Sequence, residues 1–294
     1  MKSVVQTMTG IAVLAALGWL GFNWYAQQRG PDTLPLSALP GDAVLAPATS
    51  GPAPGLSAAD HSVEAESSLT PAMPPGGVEI AHPVAVPPGP APLPVLAESD
   101  PEIMAALVEM LDHATLTQYF QLESMARKFV VGVDNLAAGK LTPQNRLIKP
   151  VPGTFAVVET AQEIVLDAAN YQRYTPLVNV LTGLDVTQVA RVYRQFYPLL
   201  QQAYEDLGYP SRYFNDRLIA VIDHLLTASP LKPPITLEQP KVFYRFADPA
   251  LEESSAGHKI LFRIGPDHMA RVQQWLSALR AELATERPGT DEQR

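Results

Sequence analysis

Residues 192–228 read VYRQFYPLLQQAYEDLGYPSRYFNDRLIAVIDHLLTA, and the fold is decided there. Val189, Val192, Phe196, Leu199, Leu200 and Ala203 recur at helical spacing. Leu218, Ile219, Ile222, Leu225 and Leu226 do the same after a Gly208-Tyr209-Pro210 corner. The stretch holds five of the ten tyrosines. It predicts two amphipathic helices, the first capped by Asp185, around which the folded part packs. Pro198 predicts a kink or break in the first.

Outward from this pair the pattern stays mostly helical. Asp100-Pro101-Glu102 reads as a helix start, with Asp100 as N-cap. A second helix is predicted over 116–138, with Phe129, Val130, Val133 and Leu136 as its buried stripe and Gly139 as its C-cap. An extended connection over 141–153 follows. The segments 155–159 and 163–166 read as a β-hairpin, and 235–237 and 241–246 as further short strands. Residues 167–184 read as helix in short pieces, broken before Pro176. Asp248-Pro249 opens a helix to about Ile264, and Gly265-Pro266 divides it from a last helix ending near Leu283. The fold class is mainly α (α+β): a multi-helix globular domain over 98–284 with a small hairpin and short strands, and a frayed tail at 285–294.

Two segments precede the domain. Residues 4–25 within an N-terminal segment 1–29 carry no charge, enough to span a bilayer, for which about 20 apolar residues suffice. Trp19, Trp24 and Tyr25 lie toward the far end, where amphipathic rings favour the interface. The bulky Asn23-Trp24-Tyr25 does not read as a signal-peptide cleavage site, so the expectation is an uncleaved anchor. Lys2 and the terminal amine place the N-terminus in the cytoplasm, with the rest on the periplasmic side of a bacterial inner membrane. Residues 30–97 form a Pro/Ala-rich stretch with no Phe, Trp or Tyr. It reads as a disordered linker that spans roughly 45 Å as a coil and up to about 210 Å as extended polyproline II.

Composition narrows the functional classes. The chain carries a net charge of −9, and no Lys or Arg lies between Arg29 and Arg127, so no basic nucleic-acid face is visible. Without cysteine there is no disulfide, thiolate metal site or Cys nucleophile. The six histidines are scattered with no HExxH spacing, and no phosphate loop, dinucleotide fingerprint or calcium loop occurs. No metal or cofactor is predicted. The polar residues worth following are Asp134 and Asn135, then Tyr209, Arg212, Tyr213, Asn215, Asp216 and Arg217. These read as a binding or structural cluster: Asp134 and Asn135 bond nearby backbone, and Asp216 and Arg217 tie the corner. Asp216 and Asp223 share a helix face with His224 beside them, which would suit acid–base work in a hydrolase.

Four runs in order carry a resemblance: VDNLAAGKL (133–141), FYPLLQQAYEDLGYPSRYFNDRLIAVIDHLL (196–226), QPKVFYRFADP (239–249) and SAGHKILFRIGP (255–266). Together they resemble a bacterial family catalogued as domain of unknown function 3014. The resemblance covers about 100–283 and implies a membrane segment followed by a variable linker, but no activity, catalytic residue or ligand. The functional expectation is a membrane-tethered envelope module that binds or scaffolds an envelope protein or cell-wall component without catalysis. A hydrolase using Asp216, Asp223 or His224 is the alternative.

Overall fold

The computed structural model describes residues 80–87, 92–138, 146–241 and 243–284. The predicted span at 4–25, most of the predicted linker, the Gly139 cap and the tail at 285–294 lie outside them. Among the described residues no helix is long and apolar enough to cross a membrane. The domain is mainly helical, with one small antiparallel sheet.

A 3₁₀ turn (Leu96–Glu98) leads into α1 (Asp100–Val108) and α2 (His113–Tyr119). Asp100 does not cap its own helix. Its carboxylate instead accepts the backbone N–H groups of Ser124 (2.6 Å) and Met125 (2.8 Å), at the start of α3 (Met125–Leu136). The single helix expected over 116–138 is therefore two. The break falls at 120–124, where Phe120 bridges Ile148 and Ser124 adopts φ +52°. Phe120 and Ile148 are both buried, so pairing this segment with the connection after α3 outweighs helix continuation. The predicted stripe of Phe129, Val130, Val133 and Leu136 is buried.

The hairpin forms as β1 (Val157–Glu159) and β2 (Ile164–Leu166). β3 (Thr236–Glu238) and β4 (Arg245–Phe246) extend it to four antiparallel strands in sequence order. Ile164 pairs with Leu237, and Leu237 with Phe246. Between the two hairpins lie α4 (Ala169–Thr182), α5 (Val186–Asp206) and α6 (Phe214–Leu226). Both internal prolines are accommodated without a break, contrary to the expectation at Pro176. Buried side chains flank each one: Tyr174, Leu177 and Val178 around Pro176, and Phe196, Tyr197, Leu199 and Leu200 around Pro198. Packing on both sides offsets the lost backbone hydrogen bond.

The stretch after Asp248 also divides, into α7 (Pro249–Glu252) and α8 (Ala256–Ile264). Ser255 supplies a second cap by accepting the His258 N–H at 3.1 Å. Gly265 then ends α8 at φ +87°, and a β-carbon there would fall 2.6–2.8 Å from the Tyr171 ring, so only glycine fits. The last helix, α9 (Pro266–Ala284), crosses both halves of the central pair.

The central helices meet each other sparingly. α5 packs mainly on α3 and α9, and α6 on α9 and α3, so the two central helices are joined largely through those two rather than face to face. Leu218, Ile222 and Leu225 are fully buried in this core. Truncating Ile222 to Ala removes three carbons from a site closed on all sides, and is expected to cost about 2–5 kcal/mol in denaturant unfolding of the chain.

Candidate functional site

The polar residues singled out in the sequence divide into two adjacent groups at the start of α6. The first joins α3 to the corner between α5 and α6. Arg217 donates through Nε to the Asp134 carboxylate at 2.7 Å and through Nη2 to the Asp134 backbone carbonyl at 2.9 Å. The Tyr209 hydroxyl reaches the other carboxylate oxygen at 3.4 Å. Tyr209 stacks on Tyr204 with ring centroids 4.7 Å apart, and the Arg212 guanidinium lies over the Tyr209 ring at 5.7 Å. Asn135 contributes its backbone carbonyl to the N–H of Ala138. This group ties elements together, as the planar guanidinium can do in two directions at once.

The second group faces a segment expected to belong to the linker. Residues 80–87 lie along the start of α6 as a strap without regular secondary structure, bent at Ala81 and His82. The Asp216 carboxylate accepts the N–H of Ala81 at 3.1 Å and of His82 at 2.7 Å. The Tyr213 hydroxyl accepts the N–H of Val84 at 2.8 Å. Asn215 is fully buried. Its Nδ2 donates to the His82 carbonyl at 2.9 Å and approaches the Leu283 carbonyl at 3.4 Å. Its Oδ1 accepts the Tyr193 hydroxyl at 3.1 Å. Residues 81, 82 and 84, within the stretch read as linker from the sequence, are thus bonded to α6 and its N-cap. The strap has no apolar periodicity to announce it, because its bonds are made through its backbone.

Sequence reasoning missed the residue that organises both groups. Gln201 on α5 accepts the Phe214 N–H at 2.8 Å and the Tyr197 hydroxyl at 3.0 Å, and donates to the Arg212 carbonyl at 2.9 Å. It caps α6 from a neighbouring helix, a role Tyr213 at the N-cap position does not fill. Burial raises the Tyr193 and Tyr197 hydroxyls well above the ordinary phenol range. They stay protonated and act as hydrogen-bond donors.

The residues of the hydrolase alternative separate. Asp223 pairs with Arg280 of α9 through both of its oxygens. Asp216 faces the strap. The His224 Nε2 lies 2.8 Å from the Ser255 hydroxyl, and its ring stacks on His258 with centroids 4.1 Å apart and planes 8° from parallel. His258 in turn donates to the His224 carbonyl at 2.8 Å. Partial burial, with the nearby His258 and Arg217 charges adding to it, lowers the affinity of His224 for a proton. Among the described residues no three His, Asp or Glu side chains gather as a metal site.

Two outcomes follow from this geometry. Arg217→Lys keeps the charge but cannot bond the Asp134 carboxylate and carbonyl together, and is expected to destabilise the chain by about 1–2 kcal/mol in thermal unfolding. The second concerns pH. His224 binds a proton less readily folded than unfolded, so its contribution is constant above the ordinary imidazole range near 6.5. Stability falls as pH drops through that value toward the depressed folded one, and levels off below it. Melting curves of wild type and His224→Asn should therefore converge or cross as pH is lowered from 7.5 to 5.

No curated protein matches the sequence, and no solved structure matches it. A family model described as protein of unknown function (DUF3014) matches residues 125–280, more than half of the chain. That region runs from the start of α3 into α9 and holds Asp134, the corner and all of α6. The chain belongs to the DUF3014 family.

Proposed function

We propose that the protein is a membrane-tethered module of the bacterial cell envelope that binds or scaffolds an envelope protein or cell-wall component without catalysis. In this reading residues 4–25 anchor it once in the inner membrane, the Pro/Ala-rich stretch spaces it outward, and the helical domain works in the periplasm. The observation that carries the reading is how the polar corner is used. Tyr213, Asn215 and Asp216 hold a polypeptide segment by its backbone, while Asp134, Arg217, Asp223 and Arg280 neutralise one another. A surface that grips a peptide backbone is recognition chemistry. Acid–base catalysis would instead require convergent groups at one cleft, and Asp216 and Asp223 face different elements.

One observation favours the hydrolase alternative: the Ser255 hydroxyl and His224 Nε2 share a hydrogen bond beside the start of α8. A nucleophile and base need that arrangement. Against it, the same Ser255 oxygen already caps α8 by accepting the His258 N–H. A fluorophosphonate probe separates the two readings. The expected result is an unlabelled chain, and a covalent adduct on Ser255 would establish the hydrolase.

The tether is tested by topology and by capture. A periplasm-active reporter fused after residue 60 is expected to be active, and activity of a cytoplasm-only reporter at that site would reverse the orientation. Affinity capture of the full chain from detergent-solubilised envelopes is expected to retain a defined envelope partner.

A further inference from the structure

We infer that the groove between the start of α5 and residues 85–87 of the strap is a binding site for an organic phosphate. The phosphate group sits on Arg191 and Arg194, and an apolar part of the ligand lies against Val86 and Pro87. The site goes beyond the partner-binding reading and does not depend on it.

The groove has a volume of about 700 Å³, within the roughly 300–1,000 Å³ that small-molecule sites occupy. One side is the face of α5 that carries Thr187, Gln188, Arg191 and Arg194, whose spacing stacks them over one another on a helix. The other side is residues 85–87. Two guanidinium groups, an amide and a hydroxyl therefore meet an apolar wall across one opening. Among the described residues no carboxylate lines it, on a chain whose net charge is −9.

The two arginines differ in how they are held. Arg194 is half-buried, and its Nη2 donates to the Glu282 carbonyl at 2.8 Å, which positions its guanidinium at the groove. Arg191 is exposed, and among the described residues it has no hydrogen-bond or ion-pair partner. Arg127, Arg217, Arg245 and Arg280 each pair with a carboxylate, so an unpaired arginine is an exception on this acidic chain. The nearby carboxylates are otherwise engaged. Asp185 accepts the Gln188 N–H at 2.8 Å, and the Thr187 hydroxyl reaches Glu282 Oε1 at 3.5 Å. An organic phosphate matches this donor set. Its phosphate brings about two charges and three acceptor oxygens, which planar guanidinium groups bind in pairs. A carboxylate offers fewer oxygens and a single charge to the same donors. Val86, 45% exposed, and Pro87 supply an apolar contact that a bare inorganic ion would not use.

The test is titration calorimetry on the full chain in a neutral detergent, with hexyl phosphate as the probe. Wild type is expected to bind it at least about tenfold more tightly than hexanoate or inorganic phosphate, since neither carries both the phosphate and the apolar body. Arg191→Gln removes the unpaired guanidinium, and Val86→Asp puts a negative charge on the facing wall. Each is expected to weaken binding at least about tenfold. Both positions are exposed, so melting curves of the two variants should match wild type. Arg271→Gln removes the same charge elsewhere, from an arginine of α9 that donates to the Thr182 hydroxyl at 2.7 Å. It should leave Kd within about twofold, because exposed charges beyond a Debye length are screened. Wild type that binds no hexyl phosphate at about 10 mM overturns the inference. So does equal weakening by Arg191→Gln and Arg271→Gln, which would be diffuse charge alone, and so does hexanoate binding as tightly as hexyl phosphate. If one groove variant fails to fold, the other decides by the same criterion, and a folded variant with wild-type affinity overturns the site. Dihexanoyl phosphatidate and glycerol 3-phosphate then separate the sources of the phosphate. Tighter binding of the lipid upholds the site and assigns it to a membrane headgroup, and tighter binding of glycerol 3-phosphate upholds it and assigns it to a soluble ligand.

Discussion

Helix α9 supplies the surface on which α5 and α6 become one core. Those two helices are consecutive and each strongly amphipathic, yet they touch little. Each presents its apolar stripe to α9 and α3 instead, and Val272, Leu276 and Leu279 of α9 are buried between them. The arrangement is also secured by polar bonds at buried ends. Gln273 donates to the carbonyls of Leu225 (3.1 Å) and Ala228 (2.9 Å) at the end of α6. The Trp275 indole does the same for Leu184 at 2.9 Å. A single C-terminal helix therefore fixes where both ends of the intervening chain lie, and with them the position of the corner at 208–214.

Close approach around that core depends on glycine at two places. Gly257 opens α8 beneath the end of α3. A β-carbon there would meet Leu225 at 2.3 Å and the Leu136 carbonyl at 3.0 Å, and both neighbours are buried and cannot yield. Gly265 turns the chain against Tyr171 to start α9. The result brings Ser255 and His258 of α8 up to His224 of α6, which is how two histidines far apart in sequence come to stack.

What the sequence made legible was local. Apolar periodicity found α3, α5 and α6 because each has one wet and one buried face, and Asp185 and Gly265-Pro266 marked the start of α5 and the division between α8 and α9 through cap chemistry that depends on neighbouring residues alone. The short-range rules failed where a distant partner changed the balance. Asp100 looks like an N-cap for its own helix, but its carboxylate is used by Ser124 and Met125. Pro176 looks like a break, but buried neighbours carry the helix through it. At the site, Asp134, Tyr213, Asn215, Asp216 and Arg217 were selected for polarity beside a corner, and that much was readable. Their partners were not: Arg217 reaches 83 residues back to Asp134, and Asp216 reaches back to a strap with no periodic signal at all. Gln201 was invisible, since a glutamine on the wet side of a helix looks like any solvated residue until its neighbours are known.

Asn215 is where these dependencies meet. Its side chain bonds Tyr193 of α5, the carbonyl of His82 in the strap and, more distantly, that of Leu283 at the end of α9, while its own N–H lies 3.4 Å from the Tyr197 hydroxyl. A buried amide has a fixed number of donors and acceptors, and here each is matched to a different element. If the strap leaves, the Nδ2 group retains only the longer contact to Leu283, and Asp216 loses both of its strap donors at the same time. Asn215 thereby joins the strap to the last turn of α9, the helix that holds α5 and α6 together. The strap therefore completes the hydrogen bonding of the core as well as covering its surface, so its backbone is part of what holds the end of α9 against α5 and α6.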